Sequence, residues 1–311
     1  MRILILGAGA IGGYFGGRMA AAGADVTFLV REARAAQLAD GLKIHSPLGD
    51  ATIPVRTIQA GDQAGPFDVI VLTNKAYGLE GALDAIATFV TETTGILPFL
   101  NGVAHIEAID ARFPHAVRLG GVAQIPANLA ADGTVSHNGK LQALIVGARE
   151  RSDRAGALVQ GVLSAALEGG IDAKISDTIE QDLWNKWVFL ATLAASTTLM
   201  GVATGDIVAT DHGEAFIMGL LSECSKVAEA EGRAPAAKQM EFYHGQLARK
   251  GNPFKSSMLH DMEAGNPIEA DHIVGDMIRR ARAHEIATPL LEIALTRLQI
   301  YETGRSGIAS N

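Results

Sequence analysis

The chain has 311 residues, 48% of them hydrophobic, and a formal net charge of −8. That length admits two domains that each bury a core, and an acidic balance without a basic run excludes nucleic acid as the expected partner. The single cysteine, Cys224, excludes an intrachain disulfide and fits a reducing, cytoplasmic setting. No stretch of 18 apolar residues and no leader pattern is present, so no membrane association is expected. No Cys/His cluster has metal spacing, and no metal is expected.

The first thirty residues carry the strongest signal. Ile3 to Leu6 is an apolar run long enough for one buried strand, and Gly7, Gly9 and Gly12 follow in the pattern G-x-G-x-x-G. Ala10 to Ala22 has helical composition, and Val26 to Val30 reads as a second strand. Strand, glycine turn, helix and strand in that order is the context of a dinucleotide-binding turn. In such a turn Gly7 permits the tight bend, Gly9 lets a pyrophosphate approach the backbone, and Gly12 lets the helix pack on the strand. Ala8, Ala10 and Ile11 complete the loop, whose N–H groups and helix dipole favour phosphate. NAD-binding versions place an acid about 20 residues on. Here the second strand ends at Val30, Arg31 is the next residue, and Arg34 lies one turn later. A guanidinium matches a 2′-phosphate, so NADPH/NADP is expected over the non-phosphorylated cofactor, although Glu32 stands beside Arg31.

Farther along, 32–39 is a short helix, 42–45 and 51–55 a pair of strands, and 68–73 a buried strand that runs into Asn74 and Lys75. A helix over 79–90, a strand over 95–100 ending at Asn101-Gly102, a helix over 106–113 and a strand over 116–123 follow. That alternation predicts a parallel sheet. Ligands bind beyond the carboxyl ends of such strands, so Lys75 and Asn101 are expected to line the crevice of the glycine turn. Strands are expected at 134–137, 141–146 and 171–175, with a helix over 155–168 between them. From 177 to 303 every segment has helical length and period. The fold class expected is therefore an α/β, Rossmann-type dinucleotide-binding domain over 1–176, followed by an all-α substrate domain over 177–303. A small, polar, frayed tail covers 304–311. Cys224 falls in a helical stretch and reads as a small core residue.

Two stretches of the helical half stand out. In Leu183-Trp184-Asn185-Lys186-Trp187-Val188-Phe189-Leu190 a lysine sits among large apolar residues. Spacing leaves two readings of Lys186 open: a snorkelling side chain, or a desolvated ammonium able to donate a proton. In Asn266-Pro267-Ile268-Glu269-Ala270-Asp271 the proline marks a helix entry, with Glu269 in the first turn, where an acid complements the helix dipole.

At these residues the chain resembles the ketopantoate reductase (2-dehydropantoate 2-reductase) family over nearly its whole length. The shared motifs are Gly7-Ala8-Gly9-Ala10-Ile11-Gly12, Asn74-Lys75-Ala76, Asn101-Gly102, Leu183-Trp184-x-Lys186, Ser256-Ser257-Met258-Leu259-x-Asp261, Ile268-Glu269-x-Asp271 and Arg279-Arg280-Ala281-Arg282-Ala283-His284. The resemblance implies NADPH-dependent reduction of a 2-oxo acid to pantoate for coenzyme A synthesis. It implies Lys186 as proton donor, and Glu269 as holder of the cofactor ribose and substrate hydroxyl. It also implies Asn101 at the nicotinamide and substrate, Ser257 on the substrate, Lys75 in the crevice and Arg31 on the 2′-phosphate. Family members carry asparagines where this chain has Leu190, Ala194 and Thr204. Those departures leave the reaction class firmer than the substrate, and a bulkier or less hydroxylated 2-oxo acid is a second reading. A third reading is a non-catalytic NADP(H) sensor, in which Lys186 and Glu269 would lie apart or one of them would be blocked from the crevice. The partner expected is a small-molecule 2-oxo acid, with a homodimer left open.

Overall fold

Ile3, Leu4, Ile5 and Leu6 are apolar without interruption because the strand they form is covered on both faces. The computed structural model describes residues 1–308 and divides the chain into two compact units. The first holds residues 1–100 and 105–183; the second holds 101–104 and the residues from Trp184 onward. The division falls inside a helix, between Leu183 and Trp184, and it places Asn101 in the second unit.

The first unit begins with β1 (Arg2–Leu6), α1 (Ala10–Ala21), β2 (Asp25–Leu29), α2 (Glu32–Gln37), β3 (Leu42–His45), β4 (Ala51–Ile53) and β5 (Arg56–Ile58). It continues with β6 (Val69–Leu72), α3 (Leu79–Ile86), β7 (Gly95–Pro98), α4 (Ala104–Arg112), β8 (Val117–Gln124), β9 (Ala127–Leu129) and β10 (Val135–His137). It closes with β11 (Ala143–Ala148), α5 (Asp153–Glu168) and β12 (Asp172–Ile175). Eight strands form one sheet in the order β12-β11-β8-β7-β6-β1-β2-β5. Ile3 and Ile5 face a core shared with Phe15 of α1 and Val162 of α5. Leu4 and Leu6 face the opposite core, with Leu83 and Ile86 of α3. Each such buried side chain contributes about 1.5–3 kcal/mol.

The sheet is parallel from β5 through β8, as the strand–helix alternation predicts. It is not parallel throughout: β11 runs antiparallel to β8. The chain between them carries short strands rather than a helix, and only a parallel pair needs a long crossover. Those short strands build a second sheet, β4-β3-β10-β9, in which the expected 42–45 and 51–55 pair is antiparallel. Strands β5 and β9, three residues each, are too short to show alternation in the sequence.

After Ser176 the described residues hold helices and turns only. These are α6 (Ile179–Met200), α7 (Thr204–Val208), α8 (Gly213–Ala230), α9 (Ala237–Leu247), α10 (Ser257–Glu263), α11 (Asp276–Ala283) and α12 (Pro289–Ile308). Within this unit Trp187, Val188, Ala191 and Ala194 of α6 are fully buried, as are Leu220, Cys224 and Val227 of α8. The buried hydroxyls of Thr192, Ser196, Thr197 and Thr198 each donate to a carbonyl one turn back, at 2.6–2.9 Å. Those bonds let a polar stretch cross the core without unpaired groups. Buried Glu223 accepts from Leu290 and Leu291 N–H at 3.0 and 2.9 Å, which caps α12. Helix α12 runs on to Ile308, through most of the segment expected to fray, and 309–311 lie outside the described residues. Among the described residues no helix is long and apolar enough to cross a membrane, and no His/Cys/Asp/Glu group could hold a metal ion.

Candidate active site

The glycine turn of the first unit is shaped by contact at one end and space at the other. Gly7 takes φ +94°, a conformation open to glycine. The Thr73 hydroxyl, at the end of β6, donates to the Leu6 carbonyl at 2.8 Å and braces the turn from below. A Cβ on Gly12 would lie 2.2 Å from the Gly7 carbonyl oxygen, so the start of α1 packs directly on the bend. A Cβ on Gly9 would meet nothing within 4 Å. Gly9 is the N-cap of α1 without a side-chain cap, and the first turn of α1 carries no acid. The opening N–H groups, with Ala8, Ala10 and Ile11 around them, are thus free of side-chain caps and suit a pyrophosphate.

Arg31 is the exposed N-cap residue of α2, directly beyond β2. Arg34 turns inward instead. Its Nε donates to the Ala8 carbonyl at 2.9 Å and its Nη1 to the Gly133 carbonyl at 2.9 Å. Burial lowers the Arg34 pKa from its ordinary value, without a charged partner to offset it. Sequence reasoning gave Arg34 no role beyond its nearness to Arg31; only the fold brings residues 8 and 133 to one guanidinium. Lys75 is exposed at the start of a 3-10 turn, Ala76–Gly78, that follows β6, and the Asn74 amide donates to its carbonyl at 2.9 Å.

The second unit gathers Asn101, Lys186 and Glu269 from positions far apart in the chain. Lys186 is half-buried on α6, between buried Trp184 and Trp187. Desolvation pulls its pKa down to about 8, and the charge of Glu269 opposes that fall. Of the two sequence readings of Lys186, the desolvated ammonium is the one the surroundings support. Glu269 is 7% exposed, and its Oε2 accepts from Asn101 Nδ2 at 3.4 Å. It stands just ahead of the helix, not in its first turn: the helix opens at Ala270, and the Ile273 N–H donates to the Glu269 carbonyl at 3.0 Å. The charge of Glu269 acts on Lys186.

Asn101 reaches Glu269 because Gly102 takes φ +77°; a Cβ there would meet the His272 carbonyl oxygen at 3.0 Å. Ser257 is the exposed first residue of α10, while its neighbour Ser256 is buried, caps that helix through Leu259 N–H, and shares a 2.9 Å hydrogen bond with Thr197. Ser256 therefore holds the helix end and leaves the Ser257 hydroxyl to solvent or ligand. Ala194 is fully buried, Leu190 half-buried, and the Thr204 hydroxyl is buried without a hydrogen-bond partner. The Cys224 thiol is fully buried and pushed up to about 12, first by burial, which fits an inert core residue.

Residues 3–151 match the model of a family described as ketopantoate reductase PanE/ApbA, and residues 178–302 match its C-terminal counterpart. The chain is similar to a Bacillus subtilis protein named uncharacterized oxidoreductase YkpB. The two are 37% identical over 307 residues, which cover 97% of this chain and 99% of the other. The fold matches the crystal structure of 2-dehydropantoate 2-reductase from Methylococcus capsulatus at TM-score 0.87 and 28% identity, with 98% of each chain covered. It also matches a D-mandelate dehydrogenase solved with NADH and anilino(oxo)acetate, at TM-score 0.87 with 98% of this chain and 100% of that one covered. At 22% identity that second likeness speaks for the fold alone.

Proposed function

The chain belongs to the ketopantoate reductase PanE/ApbA family, a family of oxidoreductases acting on CH–OH groups, and we propose that it reduces a 2-oxo acid to the 2-hydroxy acid with NADPH. Ketopantoate, giving pantoate for coenzyme A synthesis, is the leading substrate. The observation that carries this reading is the Lys186–Glu269–Asn101 cluster: an ammonium brought near neutral pH by burial, an acid acting on it, and an amide on that acid.

A bound nicotinamide supplies the hydride that reduces the ketone carbon. The chain's own work is on the oxygen and on the substrate's hold. Lys186 stabilises the alkoxide that forms and gives it a proton, so carbonyl, hydride and proton together yield the alcohol. Glu269 keeps Lys186 in line and offers its second oxygen to a hydroxyl. Asn101 and Ser257 are amide and hydroxyl donors suited to a carboxylate. The loop from Gly7 to Gly12 and the exposed Lys75 would hold the diphosphate, and Arg31 the 2′-phosphate. One related structure holds NADH, and the guanidinium at position 31 supports NADPH for this chain.

Because the donor form is protonated Lys186, kcat/KM for reduction is expected to fall as pH rises through about 8. Loss of NADPH absorbance with ketopantoate, set against a panel of branched 2-oxo acids, tests the function directly. No turnover with any of them sinks it. Leu190 and Ala194, two positions on the Lys186 face of α6 that offer no polar atom, favour one alternative: a 2-oxo acid without the 4-hydroxyl. Higher kcat/KM for an apolar branched acid than for ketopantoate selects it.

A further inference from the structure

The helix after Glu269 opens with one α-type bond, Ile273 N–H to the Glu269 carbonyl, and then widens. Asp271–Gly275 form a π-turn, in which the Asp276 N–H reaches back five residues to the Asp271 carbonyl. Such turns are rare, and they persist where a group from outside enters the backbone ladder. Here that group is Trp187, whose Nε1–H donates to the Ile273 carbonyl at 3.0 Å. The Ile273 N–H donates in turn to the Glu269 carbonyl at 3.0 Å. Two hydrogen bonds through one residue thus connect the neighbour of Lys186 to the backbone of Glu269.

The indole is itself held in place. It is fully buried, with the Trp184 ring 4.9 Å away and tilted 54°. The Arg280 guanidinium lies 5.9 Å over it and is tied to Asp276 and Glu231. From the other side a Cβ on Gly102 would be 3.0 Å from the His272 carbonyl oxygen and 3.8 Å from Trp187 Nε1. The turn that carries Asn101 therefore rests on the π-turn and on the indole that braces it.

We propose that Trp187 is a positioning residue for the reduction: its indole N–H fixes the register of the π-turn and so sets Glu269 against Lys186. This role rests on Lys186 as proton donor. Asp271 and His272 on the π-turn, and Asp276, Arg279, Arg280 and Arg282 after it, are the other charged or titratable groups on this element. Asp276 is spent on the two arginines, and Glu269 is the charge that acts on Lys186.

Trp187→Phe keeps the bulk of the ring and removes the donor. The readout that needs no turnover is the pH dependence of Lys186 acylation by acetic anhydride, followed by peptide mass spectrometry. In the unaltered protein the half-point is expected near 8. In Trp187→Phe, Glu269 drifts and supports the ammonium less, so the half-point moves to lower pH by about half a unit or more. Reduction loses about tenfold in kcat/KM, the loss of one buried hydrogen bond. In a Glu269→Gln background the same change adds no shift. An unmoved half-point in a Trp187→Phe protein that unfolds at the normal temperature overturns the role, as does an undiminished shift in the Glu269→Gln background. If Trp187→Phe does not fold, Gly102→Ala decides, since its methyl presses on the His272 carbonyl of the same π-turn; an unmoved half-point there is equally fatal. Full turnover by Lys186→Met sinks the proton-donor reading, and this role with it, whatever the half-point does.

Discussion

In the first unit the candidate cofactor site is made of backbone. Gly7, Gly9 and Gly12 matter for the side chains they lack, and the donors are N–H groups at the head of α1. In the second unit the candidate chemical site is made of side chains, an amide, an ammonium and a carboxylate drawn from residues 101, 186 and 269. The difference predicts opposite sensitivities. A backbone site breaks when atoms are added, and a side-chain site breaks when atoms are removed. Substitutions that follow or defy that rule sharpen or break the contrast.

The largest effect is expected where one side chain carries the proton. Lys186→Ala should lower kcat by about 10²–10⁴-fold, the range for a lost general acid, while fluorescence titration still shows NADPH binding. An active variant removes Lys186 from the chemistry and leaves the second unit without its defining group.

Two glycine substitutions probe the other half of the contrast. Gly12→Ala drives a methyl into the Gly7 carbonyl and the Thr73 hydroxyl, at 2.2 and 2.4 Å. It should cost about 1–3 kcal/mol in denaturant unfolding, the usual range for overpacking. Gly9→Ala meets nothing within 4 Å, so stability should hold while the dinucleotide weakens, because the added methyl stands where a pyrophosphate would approach. Unchanged NADPH affinity in Gly9→Ala would mean that the open face at Gly9 is not a ligand face.

The same contrast explains what could be read from the sequence. Gly7, Gly9 and Gly12 lie within six residues, between an apolar strand and a helix, so local spacing alone carries their geometry. The two-faced burial of Ile3 to Leu6 and the helical period after Ser176 are local signals as well. Lys186, Glu269 and Asn101 share no local pattern; apart from the family motifs, the sequence left Lys186 undecided between a solvated and a desolvated state. The neighbouring Trp184 and Trp187 were visible in the sequence; what was not is long-range, the charge of a carboxylate 83 positions along the chain. The same limit hid the antiparallel β8–β11 pair, the π-turn and the two bonds of Arg34, because each depends on partners remote in sequence. Thr73 carried a weaker signal, a hydroxyl at the end of an apolar strand, whose contact with the glycine turn appears only once β1 and β6 are paired.

Arg31 is the exception within the first unit, a side chain expected to matter for what it adds. Arg31→Ala should raise the Kd for NADPH by about 10–100-fold, the worth of charged hydrogen bonds to one phosphate. The Kd for NADH should change little. Parallel weakening of the two cofactors would argue against a 2′-phosphate contact at position 31.

Arg34 should give the smallest effect and the most discriminating one. Its guanidinium spans the Ala8 carbonyl in the glycine turn and the Gly133 carbonyl between β9 and β10. Gly133 has φ +84°, and a Cβ there would lie 2.6 Å from Arg34 Nη1, so the bend is fitted around this arginine. Arg34→Met keeps the aliphatic stem and removes both of these bonds together with the Nη1 bond to Gln37 at 3.0 Å. The turn then loses a brace but no contact with the 2′-phosphate. NADPH and NADH should therefore weaken alike, by about threefold to tenfold, and the ratio of their Kd values should stay that of the unaltered protein. A selective loss of NADPH would instead give Arg34 a share of the phosphate, and the first unit would then depend on side chains at two positions rather than one.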